Sequence, residues 1–129
     1  MNKTPSGLHH VAMNVSDIER SITFYSNAFG MKIMRRWGDS PRGAMLDMGD
    51  GAILELFERP EATLSEGMLL HIALRTDDVD AAYAHALENG GVEQTAPKDI
   101  EIPSDPSFPV RIAFVTGPDG EPVELFCEK

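Results

Sequence analysis

His10-Val11-Ala12-Met13 and His71-Ile72-Ala73-Leu74 are one four-residue phrase written twice: histidine first, alanine third, apolar residues between and after. The match continues at the same offset of 61 residues, with Asp17-Ile18-Glu19 over Asp78-Val79-Asp80 and Gly30 over Gly91. Further on, Asp50-Gly51-Ala52-Ile53-Leu54-Glu55-Leu56-Phe57 aligns with Asp119-Gly120-Glu121-Pro122-Val123-Glu124-Leu125-Phe126. The Asp-Gly pair and the Glu-Leu-Phe triplet are identical, now at an offset of 69. The second half has therefore gained eight residues between its ends, and the Pro-rich stretch 96–109 is where they are expected. A repeat of this length marks one supersecondary unit used twice, each copy with an apolar face that must be covered.

Each half reads as strand, helix, then strands. Residues 8–15 are apolar and branched, as a strand requires. Ser16 or Asp17 can cap a helix, because a short side-chain oxygen accepts from the free N–H groups of the first turn. Ile18, Ile22, Tyr25 and Phe29 follow at helical spacing, and Gly30 offers a stop. Strands are predicted at 31–37, 44–48 and 52–58, the last two joined by the turn Gly49-Asp50-Gly51. In the second half the spacing predicts a strand at 69–75, a helix capped by Asp77 or Asp78 that runs to about Asn89, and a short strand at 92–95. A final hairpin, 110–116 with 121–128, turns at Pro118-Asp119-Gly120. The four prolines of residues 96–109 suggest an irregular loop, with a lid as one role. Residues 59–68 are read as the linker. Module one then covers about 8–58, module two about 69–128, and the two βαβββ units are expected to cover each other's sheets as one domain over 1–129.

Alternation along strands sorts the faces. His10, Ala12 and Asn14 share one face of the first strand; His71, Ala73 and Arg75 share one face of the fifth. Glu55 lies between Leu54 and Leu56, and Glu124 between Val123 and Leu125, so each carboxylate points away from an apolar pair. A carboxylate in such a place is costly unless paired, and a cation removes the cost. Two imidazoles and two carboxylates suit a divalent transition metal, five- or six-coordinate with added water. His10, Glu55, His71 and Glu124 are the candidate ligands. His9 and His85 are assigned to surface or helix-edge positions, Cys127 to a packed site, and Met13, Met31, Met34, Met45, Met48 and Met68 to core or cavity filling. Arg75 is a candidate contact for a substrate carboxylate.

Composition narrows the field. The chain has 129 residues, 11 basic and 21 acidic side chains and a formal charge of −10, which disfavours nucleic acid as a partner. The N-terminal residues lack the apolar run of a secretory signal, and no stretch approaches the ~20 apolar residues of a membrane span. The single cysteine forms no internal disulfide. These features point to a soluble, cytoplasmic protein without membrane contact.

The stretch 8–17, the pairs Phe24-Tyr25 and Phe29-Gly30, the phrase His71-Ile72-Ala73-Leu74, and Pro118-Asp119-Gly120 followed by Glu124-Leu125 resemble the vicinal oxygen chelate superfamily. That group includes glyoxalase I, methylmalonyl-CoA epimerase, extradiol dioxygenases, fosfomycin-resistance transferases and bleomycin-resistance proteins. The resemblance implies an α+β fold of two tandem βαβββ modules whose mixed sheets form a cup around a metal, usually in a homodimer. The ligands it implies are His10, Glu55, His71 and Glu124, a set most like that of bacterial glyoxalase I. The cation would be nickel, cobalt, zinc, manganese or iron. By the same resemblance Glu124 is the proton-moving base, with Glu55 as a second catalytic carboxylate. Glyoxalase I usually has an arginine where this chain has Asn14 and an asparagine near Arg59, residues that help hold glutathione, so the substrate carrier stays open. The implied function is a metal-dependent lyase or isomerase acting beside a carbonyl of a small oxygenated substrate, lactoylglutathione lyase among them. The alternatives are an extradiol-type dioxygenase and a non-catalytic binding or resistance protein.

Overall fold

The computed structural model describes residues 7–38, 41–61, 67 and 69–129. Module one runs β1 (His10–Val15), α1 (Ile18–Phe29), β2 (Lys32–Trp37), β3 (Gly43–Asp47) and β4 (Ile53–Glu58). Module two runs β5 (Ile72–Arg75), α2 (Val79–Glu88), β6 (Val92–Ile102), β7 (Phe108–Thr116) and β8 (Pro122–Glu128). The strands form two four-stranded sheets, ordered β1-β4-β3-β2 and β5-β8-β7-β6. In each sheet the first strand lies parallel to the last, and the other neighbours are antiparallel. The fold is α+β, two tandem βαβββ modules with mixed sheets.

Local chemistry accounts for the helix ends. Asp17 caps α1 by accepting from the Arg20 N–H at 3.1 Å, and Asp78 caps α2 by accepting from the Ala81 N–H at 3.0 Å. Gly30 closes α1 at φ 69°, a left-handed conformation that glycine enters without a side-chain clash. Ile18, Ile22 and Tyr25 are buried as their spacing predicts. The start of α1 has a further acceptor. Glu58, at the end of β4, takes the Ile18 N–H at 3.0 Å, while Arg42 grips its two oxygens at 2.9 and 2.8 Å.

Three expectations need correction. The modules do not cover each other's sheets: α1 packs on β2, β3 and β4, α2 packs on β6, β7 and β8, and the modules meet through α1 against α2. Each helix already covers the apolar face of its own sheet. The buried cluster is still continuous, drawing Tyr25 and Leu54 from one module and Tyr83 and Leu125 from the other. Polar bonds reinforce the seam. Asp119, in the β7–β8 turn, accepts from the Ser16 N–H at 3.0 Å, from the Ser16 hydroxyl, and from Arg20 at 3.1 Å. The Tyr25 hydroxyl donates to Glu121 at 2.9 Å, and burial, followed by Glu121, pushes that phenol well above its usual range.

The second correction concerns residues 96–109. They are mostly strand: β6 continues to Ile102 and β7 begins at Phe108. Pro97 sits where the register slips between Thr95 and Lys98, so no ladder N–H is asked of it, and β6 is an edge strand. Only residues 103–107 turn the chain, and the extra length of module two is a longer hairpin rather than a lid. The third is Met34, which is 51% exposed rather than packed, turned outward at a register shift between Ile33 and Arg35. Part of the proposed linker, 62–66 and Met68, lies outside the described residues. Among the described residues no helix is long and apolar enough to cross a membrane.

The Arg42 hydrogen bonds, with the Ile18 N–H, hold the Glu58 carboxyl down to about 2. Its unfolded value is ~4.3, so its contribution to stability is complete above that pH and is lost as pH falls toward 2. Thermal melts of wild type and Glu58→Gln from pH 7 to pH 2 should therefore converge at the acid end. A constant gap across that range would contradict this assignment.

Candidate metal centre

His10 opens β1 and His71 immediately precedes β5, and the ladders of those two strands position the glutamates. Ala12 lies opposite Glu55 in the parallel β1–β4 pair, and Ala73 lies opposite Glu124 in β5–β8. His10 and His71 stand two residues before those alanines, on the same face. The methyl side chain of alanine leaves room beside each carboxylate, and the imidazole leans into it. His10 Nε2 is 3.6 Å from Glu55 Oε1, and His71 Nε2 is 3.1 Å from Glu124 Oε1. Each glutamate side chain is 12% exposed, against 41% for His10 and 34% for His71. The apolar neighbours Leu54, Leu56, Val123 and Leu125 are buried toward the helices, as parity requires.

The donor set fits a divalent cation. Two donors at about 2.1 Å from one cation stand about 3.0 Å apart at a right angle and about 3.4 Å apart at the tetrahedral angle. The two nitrogen–oxygen separations are close to those edges. The two pairs do not meet within one chain, however. Among the described residues no group of three or more His, Cys, Asp or Glu side chains converges. Each chain presents two His–Glu pairs, one per sheet, on the faces that the helices leave uncovered.

Several neighbours were not singled out by the repeat. The Nδ1 atoms of His9 and His10 lie 2.9 Å apart, with the rings edge to face, so His9 orients the ring whose other nitrogen faces Glu55. The adjacent His-His pair was the available signal. Phe114, opposite Glu124 in β7, packs edge-on against His71 at 5.1 Å; Met45 holds the matching place beside Glu55. Trp37 packs on Phe57 at 5.8 Å, and its ring lies over Gly43, where an added Cβ would come within 2.1 Å of it. Arg75 is exposed on the His71 face. His85 is exposed on α2, its Nε2 2.8 Å from the Asn27 carbonyl oxygen. Cys127 is a free, half-buried thiol against the core, where Met31 is buried and Met13 and Met48 are half-buried.

Residues 7–125 match the family described as Glyoxalase/Bleomycin resistance protein/Dioxygenase superfamily. The chain belongs to this superfamily. Among similar superfamily proteins, the uncharacterized protein YwbC of Bacillus subtilis is 36% identical over 127 residues, covering 92% of this chain and 95% of its own. A lactoylglutathione lyase of Neisseria meningitidis is 32% identical over 136 residues, covering 95% of this chain and 91% of its own. The solved trypanothione-dependent glyoxalase I of Leishmania major superposes with a TM-score of 0.73 at 25% identity, over 95% of this chain and 87% of that one. The two-module architecture of this chain is therefore a glyoxalase-superfamily architecture.

The place of Gly43 beneath an indole gives a direct check. Gly43→Ala should push Trp37, the chain's one tryptophan, off Phe57 and shift its fluorescence emission. An unchanged emission spectrum would mean that the ring does not rest on this glycine.

Proposed function

We propose that the chain is a metal-dependent lyase or isomerase of the glyoxalase type, with a divalent transition metal held by His10, Glu55, His71 and Glu124. The observation that carries this reading is the duplicated His–Glu pair, placed by the same cross-strand register in both sheets and aimed from the uncovered face of each. Because the pairs stand apart in one chain, the reading includes a homodimer. In it, His10 and Glu55 of one copy close the centre with His71 and Glu124 of another.

The cation, when bound, supplies Lewis acidity toward a carbonyl or hydroxyl oxygen of the substrate. The chain's own residues do the rest. Glu124 is the proton carrier: it is shielded on an open sheet face, bordered by Phe114 and His71, and no arginine or lysine lies within ion-pair distance of it among the described residues. A carboxylate so placed is free to take a proton from one substrate carbon and return it to the next. Glu55 is its counterpart from the other module. His9 holds the His10 ring, and Met45 and Phe114 exclude water around the two carboxylates. The relatives named lactoylglutathione lyase make the hemithioacetal of methylglyoxal and glutathione the first substrate to try. Asn14 and Arg59 differ from residues that help hold glutathione in glyoxalase I, so free thiols other than glutathione belong in the same assay.

Purified protein reloaded in turn with nickel, cobalt, zinc, manganese and iron should bind about one equivalent per chain and turn over a substrate of this class. Glu124→Gln should lower turnover on the order of 10²-fold or more, the usual worth of a positioned general base. Wild-type protein that retains none of the five metals would sink the proposal.

A further inference from the structure

We infer that Arg75, supported by Lys98, is an anion anchor on the open face of sheet two, so that the molecule bound there carries a carboxylate remote from its reacting end. Cross-strand register sets Arg75, Phe126, Ile112 and Lys98 side by side across β5, β8, β7 and β6. This row lies two residues along from the row of Ala73, Glu124 and Phe114, on the same face. It is cationic at both edges; between them Phe126 is half-buried, with Phe108 packed on it at 6.0 Å, and Ile112 is buried. The matching row of module one reads Asn14, Phe57, Gly43 and Trp37 and has no charge at all. The repeat therefore breaks its symmetry here, and it does so by placing two cations.

Both cations are exposed, and among the described residues neither has an ion-pair partner. Arg20, Arg36, Arg42, Arg111 and Lys129 do; Lys32, Arg35 and Arg59 are likewise without one, so it is the place of Arg75 beside Glu124's row, rather than its lack of a partner, that sets it apart. With 21 acidic and 11 basic residues in the chain, carboxylates are abundant, yet none has been drawn onto Arg75. Arg75 lines an open hollow of about 770 Å³ together with Ala73, Phe126 and two carboxylates, Asp77 and Glu128. Neither carboxylate forms an ion pair with Arg75 among the described residues.

The geometry points to a class of ligand. A guanidinium offers a planar fork that matches a carboxylate in bidentate fashion, and Phe126 supplies an apolar floor for the carbon chain beside it. Arg75 stands four residues beyond His71, roughly 13 Å of strand; a side chain reaching back covers about half of that, leaving room for a chain of about five carbons. This assignment rests on the proposed metal centre for one point only: that the vicinal oxygens lie at His71 and Glu124, with the remote acid at Arg75.

Two probes of equal carbon length test it: 2-oxoglutarate, with a remote carboxylate, and 2-oxopentanoate, without one. Each is titrated calorimetrically into the full chain reconstituted with nickel, at low salt and pH 7, for wild type, Arg75→Gln, Arg75→Lys and Lys98→Gln. Wild type should prefer 2-oxoglutarate by about tenfold or more, the worth of one charge-assisted bidentate contact. Arg75→Gln should abolish the preference with 2-oxopentanoate affinity unchanged, Arg75→Lys should keep part of it, and Lys98→Gln should reduce it. Equal affinity of wild type for the two acids, absence of binding included, overturns the anchor, as does a preference that survives in Arg75→Gln. Metal content measured on the same samples separates the two readings. Bound nickel without discrimination rejects the anchor alone; discrimination by protein that holds no nickel supports the anchor, and the metal centre is then decided by the five-metal reloading.

Discussion

In each sheet the strand that begins at or just after the histidine runs parallel to the strand bearing the glutamate, and the residue facing the glutamate is an alanine: Ala12 for Glu55, Ala73 for Glu124. That register is what makes a polar pair on an otherwise ordinary sheet. A slip of one residue would turn Glu55 into the space held by Leu54 and Leu56, beneath α1, and would expose those leucines in exchange. An ionised carboxylate buried without a partner costs several kcal/mol, so the buried side of the ladder enforces the register that the exposed side uses. Packing thus decides where the donors stand, and the alanines decide that an imidazole can lean against each carboxylate.

The helices complete this division. Each covers one face of its own sheet, and the two then pack on one another, bound across the seam by Asp119 to Ser16 and Arg20 and by Glu121 to Tyr25. With the apolar demand of both sheets met inside the chain, the faces carrying histidine and glutamate stay open. The modules have diverged on those faces while keeping the pair. Met45 corresponds to Phe114, Asn14 to Arg75, and Trp37 over Gly43 to Lys98 opposite Ile112. The constant part is the His–Glu pair; the variable part is the surface that would meet the remainder of a ligand.

Much of this was legible in the residues. The repeat located both modules, the helix caps fell at Asp17 and Asp78, and strand parity put His10, Ala12 and Asn14 on the exposed side. The four candidate ligands also stood out: Glu55 and Glu124 because each is polar between two buried apolar residues, His10 and His71 because the repeat writes them at matching places. Two of the three misreadings share one cause, a shift of strand register; the third, how the modules join, depends on helix packing. Four prolines between 96 and 109 read as an irregular loop because proline lacks a ladder N–H, yet an edge strand with a bulge at Pro97 does not need one there. The outward turn of Met34 follows likewise from a register shift, which residue type does not announce.

The amino-acid sequence by itself determined the duplicated βαβββ plan and the face on which each histidine and glutamate lies, since both follow from the repeat and from local periodicity, and its motifs carried the resemblance to the superfamily. Tertiary structure alone decided the rest: that Ala12 meets Glu55 and Ala73 meets Glu124, that the modules join helix to helix, and that the two His–Glu pairs of one chain stand apart. Those outcomes depend on register and on which apolar faces find each other, and both are fixed by packing among residues some forty to seventy positions apart rather than by any short motif.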